Sequence, residues 1–305
     1  MHDSTKLYRG RFAPSPTGPL HFGSLIAAAG SYLDAHRNGG AWLVRIEDLD
    51  SPREAKGATD AILRTLESYG FEWEGAVVLQ SRRGAAYAAA LEHLERAGAV
   101  FPCACTRREI SDSTLGGTSE PVYPGTCRDG IPTGRRARAI RARVDDTEIA
   151  FEDRLQGRIE QNLAGEIGDF VVRRADGPFA YQLAVVVDDF EQGVTDVVRG
   201  ADLLASTPRQ MLLQRRMGYP TPQYMHLPVA VNRNGEKLSK QTLAAPLAAA
   251  EGPLQLWRAL RFLGQEPPAE LKAERIAVLW SWARANWHAD RIPRRRSVGE
   301  DPAST

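Results

Sequence analysis

The apolar and polar positions at the start of the chain alternate between short extended runs and longer helical segments. Residues 7–13 predict a short strand, and the apolar spacing from about His21 to Arg37 predicts a helix. Asn38-Gly39 ends that helix, because both residue types tolerate the left-handed backbone of a helix terminus. A second strand over Ala41–Ile46 and a second helix over 52–69 follow. Strand, helix, strand, helix at this spacing predicts a parallel sheet with functional side chains at the carboxyl ends of its strands.

Changes in this pattern divide the chain into four segments. Residues 1–100 are interpreted as the first half of a Rossmann-type catalytic domain, and residues 101–180, where the alternation stops, as an insertion. Residues 181–245 complete the catalytic domain, and residues 246–305 form a helical appendage with a basic tail. The predicted fold class is α/β: a parallel-sheet catalytic domain with an insertion and a small C-terminal helical appendage.

Local patterns in the second half predict three further elements. Residues 180–187 are strand-like, and residues 203–217 are helix-like. An apolar run at 228–231, followed by Asn-Gly at 234–235, predicts a hairpin that leads into an exposed loop.

Composition narrows the class of protein. Of the 305 residues, 43% are apolar and 25% are charged, which excludes disordered and fibrous chains. Three cysteines cannot all pair, so we expect reduced or metal-bound thiols and a cytoplasmic protein. No signal peptide or membrane span is predicted, since no run of about 18 apolar residues occurs. The 39 Lys and Arg balance the 38 Asp and Glu, so a nucleic acid would bind only at local basic patches.

A Pro-rich loop between the first strand and the first helix is a candidate phosphate site. It ends with His21, Gly23 and Ser24. A loop at a helix N-terminus presents unpaired N–H groups and the positive end of the helix dipole to an anion. The alternative is a Pro-rich turn in which His21 only begins the helix.

A second candidate is the pair Lys237 and Lys240, three residues apart in the exposed loop with a hydroxyl between them. Two lysines at this spacing can surround a triphosphate and neutralise the charge that builds up during displacement. The alternative is a solvated, charged turn.

Together, the two motifs resemble the signature sequences of class I aminoacyl-tRNA synthetases. Five segments, in the same order, are similar to the glutamyl-tRNA synthetase lineage within that class. They are Arg11–Gly18, Arg45–Asp50 with Arg53, Gln80–Arg82, Val198–Leu203 and Lys237–Lys240. Ser24 and Gln241 depart from the class pattern, at the second His and the final Ser. The resemblance implies a Rossmann-type domain that adenylates glutamate with ATP and Mg²⁺.

The same resemblance implies a set of site residues. L-glutamate would be held by Arg11, Phe12, Ala13, Pro14, Ser15, Glu47, Tyr181 and Arg199; ATP by His21, Gly23, Ser24 and Lys240; and catalysis would involve His21, Lys237 and Lys240. The chemistry agrees, because a dianion with one ammonium needs cationic forks from Arg11 and Arg199 and an acceptor such as Glu47. The alternatives are a surface ion pair for each arginine and core packing for Tyr181. No covalent nucleophile is needed.

The cysteines form a separate candidate site. Cys103, Cys105 and Cys127 provide three thiolates for tetrahedral zinc, with a fourth ligand missing and no His in the insertion. In truncated relatives of the lineage a similar arrangement holds zinc, which makes Tyr123 the fourth ligand by resemblance, with water as the alternative. We expect one structural Zn²⁺; the other interpretation is three buried thiols.

Arginines cluster in two places. Five lie between 135 and 143, and four more lie between 291 and 296. Such clusters suit RNA phosphates, although each is equally compatible with a solvated face.

The expected function depends on the length of the chain. About 60 residues follow Lys240, which is too few for an anticodon-reading domain of ordinary size. This favours truncated paralogues of the lineage, which activate glutamate without tRNA and transfer it to the queuosine base in the anticodon loop of tRNA(Asp). The alternatives are a minimal synthetase that charges the 3′ end of tRNA(Glu), and a non-catalytic glutamate- or nucleotide-binding paralogue. We expect a monomer whose partners are L-glutamate, ATP and queuosine-bearing tRNA(Asp), without a membrane.

Overall fold

The structure is a computed structural model that describes residues 7–112, 122–146, 148–232, 234–237 and 245–299. Its elements in this part of the chain are numbered in chain order. The strands are β1 (Arg9–Phe12), β2 (Ala41–Ile46), β3 (Val78–Leu79), β4 (Val100–Cys103), β5 (Ala139–Ala142), β6 (Glu148–Asp153), β7 (Gly157–Asn162), β8 (Val171–Arg173), β9 (Asp196–Gly200), β10 (Gln223–Leu227), β11 (Val229–Val231) and β12 (Ser297–Gly299). The helices are α1 (Phe22–Arg37), α2 (Ala58–Ser68), α3 (Gly84–Arg96), α4 (Arg107–Asp112), α5 (Leu163–Glu166), α6 (Tyr181–Glu191), α7 (Thr207–Met217), α8 (Gly252–Phe262) and α9 (Ile276–Asn286).

The central parallel sheet combines strands from both halves of the chain. β1 pairs with β2, and β2 pairs with β3. Further along the chain, β10 pairs in parallel with both β9 and β6. The N–H of Thr195 donates to the carbonyl of Arg9 (3.0 Å), so the start of β9 lies beside β1. The predicted α/β fold class is confirmed, and the carboxyl ends of β1, β2 and β9 share one edge of the sheet.

Helix α1 forms the core of the first half. His21 caps its N-terminus, because its Nδ1 accepts from the N–H of Ser24 (3.3 Å). Eleven of the sixteen residues are buried, so the helix needs small side chains where it crosses the sheet. A Cβ on Gly30 would lie 2.6 Å from a methyl carbon of Leu227. The close approach of α1 to β10 therefore depends on glycine at this position.

Two predicted elements differ from the structure. Residues 180–187, predicted to be strand-like, lie mainly in α6, where Leu183–Val187 are all buried. A continuous apolar run suits a helix covered on every side as well as a strand, and periodicity does not distinguish them. The second helix begins at Ala58, because residues 51–53 form a separate 3₁₀ turn and Gly57 adopts a left-handed φ of 74° before the helix starts.

The predicted insertion contains an antiparallel sheet of its own. β5 pairs with β4 on one side and β8 on the other. Beside this sheet, Phe101, Cys103, Tyr123 and Cys127 form a small separate core. The hairpin of β6 and β7 instead continues the central sheet through the pairing of β6 with β10. The domain boundaries at 100, 180 and 245 stay predictions.

The C-terminal helices pack against the first half of the central sheet domain. Phe262 of α8 lies edge-on to Phe22 of α1, with ring centroids 6.1 Å apart. Trp280 of α9 contacts Tyr32 and Phe71 at centroid distances of 4.9 and 5.0 Å. The chain then returns to the central sheet domain, where β12 pairs in parallel with β11. Among the described helices, none combines the length and apolar character that crossing a membrane requires.

Candidate active site

A cleft of about 640 Å³ opens at the carboxyl ends of β1, β2 and β9, beside the N-terminus of α1. It brings together the predicted glutamate-binding, ATP-binding and catalytic residues that the structure describes. These are Arg11, Phe12, Ala13, Pro14, Ser15, His21, Gly23, Ser24, Glu47, Tyr181, Arg199 and Lys237. Lys240 lies outside the described residues.

Arg11 is held by a buried carboxylate that the sequence interpretation missed. Nε of Arg11 and Nη1 of Arg45 donate to the same oxygen, Oδ1 of Asp189, at 3.2 and 2.8 Å. Burial opposes ionisation of Asp189, but the two guanidinium groups keep its pKa below the usual value. A carboxylate that stays charged between two arginines fixes the direction of both planar donor groups. The available signal was the pair Asp188-Asp189, which directly follows an apolar run.

Glu47 follows β2 and contributes a carboxylate to the cleft. Its Oε1 accepts from Nη2 of Arg45 (3.2 Å), and its N–H donates to the carbonyl of Pro14 (3.0 Å). Burial raises the pKa of Glu47, although Arg45 and Arg11 act in the opposite direction. Burial also raises the pKa of Tyr181, and the nearby Glu47 adds to that effect. A cation beside these groups would favour the ionised carboxylate, so this part of the cleft suits an ammonium group.

Arg199, in β9, is the second arginine of the cleft and is 5% exposed. Its Nε donates to Nε2 of His226 (3.0 Å), and its Nη2 donates to Oγ1 of Thr207 (2.8 Å). Nη1 is buried and has no hydrogen-bond partner among the described residues. A buried guanidinium nitrogen without an acceptor costs free energy, and an anionic group in the cleft would satisfy it.

The N-terminus of α1 forms another wall of the cleft. His21, Gly23 and Ser24 all line the cleft at this end of the helix. Because Nδ1 of His21 accepts from the N–H of Ser24, the hydrogen of the neutral imidazole belongs on Nε2. An imidazole N–H and the positive end of a helix dipole together suit a phosphate group.

Lys237 also lines the cleft and follows a tight hairpin turn. The predicted hairpin is confirmed: Val231 and Lys237 form an antiparallel bridge, and the N–H of Asn232 donates to the carbonyl of Glu236 (2.9 Å). Nζ of Lys237 donates to Oδ2 of Asp202 (2.5 Å). The lysine side chain is 45% exposed, so this ion pair contributes little to stability, and a triphosphate would compete with Asp202 for the lysine.

The three cysteines of the insertion converge. Sγ of Cys105 and Sγ of Cys127 are 3.7 Å apart, and all three sulfur atoms lie within 4.8 Å of one another. A tetrahedral zinc with Zn–S bonds of about 2.3 Å separates its sulfur ligands by about 3.8 Å, so the spacing fits. The hydroxyl of Tyr123 is 3.4 Å from Sγ of Cys103 and accepts from the N–H of Cys127 (2.9 Å). These side chains can hold a metal ion.

One arginine of the first cluster supports the cysteine group. Nε of Arg141 donates to Sγ of Cys103 (3.3 Å), and its guanidinium lies 4.0 Å from the ring centre of Tyr123. If the three thiolates hold a dication, one net negative charge remains, and the guanidinium would offset it. The sequence places Arg141 in a cluster that suits RNA phosphates. In the structure Arg141 is buried, because it packs against the cysteine group.

The remaining arginines of the two clusters differ in exposure. Arg143 is partly buried and lies over the ring of Phe101, 5.0 Å from its centre. The other members lie at the surface: Arg135, Arg136, Arg138, Arg291, Arg294, Arg295 and Arg296. Arg135 forms an ion pair with Glu109 (2.9 Å), and the carboxylate partly offsets the positive charge that Arg135 presents to a ligand. The tail therefore presents more exposed arginines than the insertion does.

Comparisons with known proteins agree with this arrangement. A family model described as tRNA synthetases class I (E and Q), catalytic domain, matches residues 8–264. The chain belongs to this family. A relative from Dechloromonas aromatica, named glutamyl-Q tRNA(Asp) synthetase, is 60% identical over 293 residues, which cover 95% of this chain and 97% of the relative. A relative of the same name from Aromatoleum aromaticum is 58% identical over 294 residues, covering 96% and 93%.

A solved structure of a class I synthetase supports the fold assignment. The glutamate-tRNA synthetase from Elizabethkingia anophelis superposes with a TM-score of 0.79, at 23% identity, over 98% of this chain and 69% of that chain. At this identity the likeness concerns the fold alone. The range matched by the synthetase family model contains the whole cleft, from Arg11 to Lys237, together with the cysteine group.

Proposed function

We propose that the protein activates L-glutamate with ATP as glutamyl-adenylate and transfers the glutamyl group to the queuosine base in the anticodon loop of tRNA(Asp). The observation that carries this proposal is the high identity, over nearly the full chain, to relatives named for this reaction. The chain is an enzyme of the aminoacyl-tRNA synthetase class, and the charge pattern of its cleft supports glutamate as the amino acid.

The amino acid is bound by charge complementarity. Glutamate carries two carboxylates and one ammonium, and the cleft offers two oriented arginines and one buried acid. Arg11 and Arg199 would bind the carboxylates, since Nη1 of Arg199 needs an acceptor. Glu47 would accept from the ammonium. The charges of Glu47, Arg199 and Arg11 act on the hydroxyl of Tyr181, so Tyr181 lies near them and would contact the same ligand.

The first chemical step joins glutamate to the α-phosphate of ATP. A carboxylate oxygen attacks the α-phosphorus, the bond to the bridging oxygen of the β-phosphate breaks, and pyrophosphate leaves with that oxygen. His21 and the N-terminus of α1 would position the phosphates, and Lys237, with the predicted Lys240, would neutralise the leaving group. In the second step the acceptor group of queuosine attacks the acyl carbon, and AMP leaves.

Two metal ions belong to the proposal in different roles. Cys103, Cys105 and Cys127, with Tyr123 as the predicted fourth ligand, would hold one structural Zn²⁺ that stabilises the insertion. Among the described residues, the cysteine group is the one set of three or more potential metal ligands that converge. Mg²⁺ would enter on the ATP phosphates, as is usual for this ion, and would help to offset their charge.

The proposal is tested by two assays on the purified full chain. Glutamate-dependent exchange of label between pyrophosphate and ATP, without tRNA, reports adenylate formation. Labelled glutamate is then offered to tRNA(Asp) from cells that make queuosine and to tRNA(Asp) from cells that do not. We expect exchange with glutamate and transfer only to the queuosine-containing pool.

The other candidate functions give different results. Equal labelling of both tRNA(Asp) pools would contradict transfer to queuosine. Labelling of the 3′ end of tRNA(Glu) would identify a minimal glutamyl-tRNA synthetase. Absence of exchange would favour a non-catalytic binding paralogue. The monomeric state and the cytoplasmic location stay predictions from the sequence.

A further inference from the structure

Three buried side chains, Asp153, His226 and Arg199, are connected by hydrogen bonds that run from the interior towards the cleft. Arg199 in β9 and His226 in β10 are direct cross-strand neighbours, and Asp153 ends the adjacent strand β6. Oδ2 of Asp153 lies 2.6 Å from Nδ1 of His226, and Nε2 of His226 accepts from Nε of Arg199 (3.0 Å). His226 is 0% exposed and Asp153 is 3% exposed. Neither side chain lines the cleft, so neither can contact a ligand there.

The hydrogen bonds determine the tautomer of His226. A guanidinium group has only donors, so Nε2 must present its lone pair to Arg199. The imidazole hydrogen therefore lies on Nδ1 and is donated to Asp153. Oδ1 of Asp153 also accepts from the N–H groups of Leu155 (3.0 Å) and Gln156 (2.9 Å), which fixes the carboxylate in place.

The protonation states support the same assignment. Burial, together with the nearby positive charge of Arg199, lowers the pKa of His226, although Asp153 acts in the opposite direction. Burial opposes ionisation of Asp153, but the hydrogen bond from His226 and the N–H groups of the turn keep its pKa below the usual value. The pair is therefore a neutral imidazole backed by a carboxylate.

We propose that His226, held in one tautomer by Asp153, is a positioning residue that orients Arg199 for a carboxylate of the bound amino acid. This inference rests on the proposed function, which places that carboxylate at Arg199. With Nε held by His226 and Nη2 held by Thr207, the guanidinium plane cannot rotate without losing hydrogen bonds. Nη1 has no acceptor among the described residues, and Arg199 lines the cleft in which the carboxylate would bind.

The first measurement needs no variant. In full-length protein labelled with ¹⁵N-histidine, the Nδ1 and Nε2 shifts of His226 report the tautomer directly. We expect Nδ1 protonated and Nε2 unprotonated at pH 7. Asp153→Asn would place an amide donor opposite Nδ1 and move the hydrogen to Nε2, where it would face a guanidinium donor. Nε2 protonated in the wild-type protein would overturn the proposal.

The second measurement is the pyrophosphate-exchange assay on a matched pair of variants. His226→Gln keeps an acceptor at the position of Nε2, whereas His226→Asn keeps only a donor towards Asp153. Because a lost hydrogen bond to a charged group is typically worth about tenfold or more in affinity, we expect His226→Asn to raise the KM for glutamate by about tenfold. His226→Gln should stay within about threefold of wild type, with kcat and the KM for ATP nearly unchanged in both variants.

Tyr224→Phe is the control for a buried change on the same strand. It removes a hydroxyl that accepts from Nε2 of Gln214 (3.1 Å) and retains the ring near Arg199. It should leave the KM for glutamate unchanged. Equal KM values for the Asn and Gln variants, with both folded, would overturn the positioning role. Absence of exchange in the wild-type protein would instead overturn the proposed function, and the NMR result would still decide whether the tautomer is the one inferred.

Discussion

At the scale of single residues, three acids lie around Arg45, and the pKa shifts of two of them, Asp189 and Glu47, have opposite directions. Asp189 lies between two guanidinium groups that lower its pKa, so it is charged at all physiological pH values. Glu47 contacts one of those groups and is governed by burial, which raises its pKa. Asp189 is therefore a permanent orienting charge, whereas Glu47 can gain or lose a proton when a ligand binds.

The raised pKa of Glu47 predicts a pH-dependent affinity for glutamate. Below that pKa the carboxyl is protonated and must release its proton before it can pair with the ligand ammonium. We therefore expect the KM for glutamate to rise as the pH falls through this raised pKa, with a limiting slope of about one log unit per pH unit. The KM for ATP, measured in the same exchange assays, should change much less.

Glu47→Gln separates this effect from general acid sensitivity. The amide has the same shape but no titratable group, so the variant should bind glutamate more weakly at pH 8, by about tenfold or more. Its KM should then vary little with pH. A variant that keeps the wild-type slope would show that another group titrates.

The sequence predicted the residues that line the cleft better than it predicted the residues that support them. Arg11, Glu47 and Arg199 belong to local motifs at strand ends, and all three line one cleft. Asp189 and His226 contact these arginines from elements that are distant along the chain; the Arg11–Asp189 pair is separated by 178 positions. Such a pairing depends on the tertiary fold, and neither the pair Asp188-Asp189 nor a single histidine carries a motif that reveals its partner.

At the scale of elements, the segment around the three cysteines depends on a polar cluster more than on an apolar core, whereas later residues of the insertion, such as Val144, Ile149 and Phe170, are buried in a larger core. The small separate core of the cysteine segment consists mostly of the cysteine group and the two rings beside it. A segment with few buried apolar residues needs another source of stability, and three converging thiolates would provide one on binding a dication. Two errors in element prediction have local causes. Packing on every side makes the apolar run of α6 a helix, and the left-handed Gly57 places the start of α2 later than the sequence predicted.

Metal analysis tests this view of the insertion. We expect about one zinc per chain after preparation without chelators, and none in Cys105→Ser. Loss of the metal should destabilise the protein by on the order of 4 kcal/mol, a value typical of losing a structural metal, and should increase hydrogen exchange in β4 and β5 first.

Tyr123→Phe then identifies the fourth ligand. If the phenol oxygen binds the metal, the variant should lose at least the roughly tenfold in zinc affinity that removal of a supporting partner usually costs. Unchanged affinity would assign the position to water. A zinc-free wild-type protein would leave the cysteines as core thiols.

At the scale of the whole molecule, the last described strand, β12, lies beside the cleft. β12 pairs with β11, whose Val229 and Ala230 line the cleft. The N–H of Val229 donates to the carbonyl of Arg296 (3.0 Å), and Nε2 of Gln156 donates to the carbonyl of Arg295 (3.2 Å). The basic tail therefore lies beside the cleft, and we predict that its exposed arginines contact the RNA there.

This placement predicts separate effects on the two steps of the proposed reaction. Replacing Arg294, Arg295 and Arg296 by Gln should leave tRNA-independent exchange unchanged, because the backbone contacts of the tail do not need the side chains. Transfer of glutamate to tRNA(Asp) should weaken through a higher KM for tRNA. The slope of log KM against log salt should fall by about two to three, since three phosphate contacts are lost.

The control is a second triple variant with the same change in net charge. Arg37, Arg64 and Arg96 are also exposed but lie on α1, α2 and α3, away from the tail strand. Their replacement by Gln should leave the KM for tRNA and its salt dependence close to wild type. Equal losses in both triple variants would show that net charge, and not the position of the tail, attracts the RNA. A loss of exchange in the tail variant would mean that these side chains support the cleft itself.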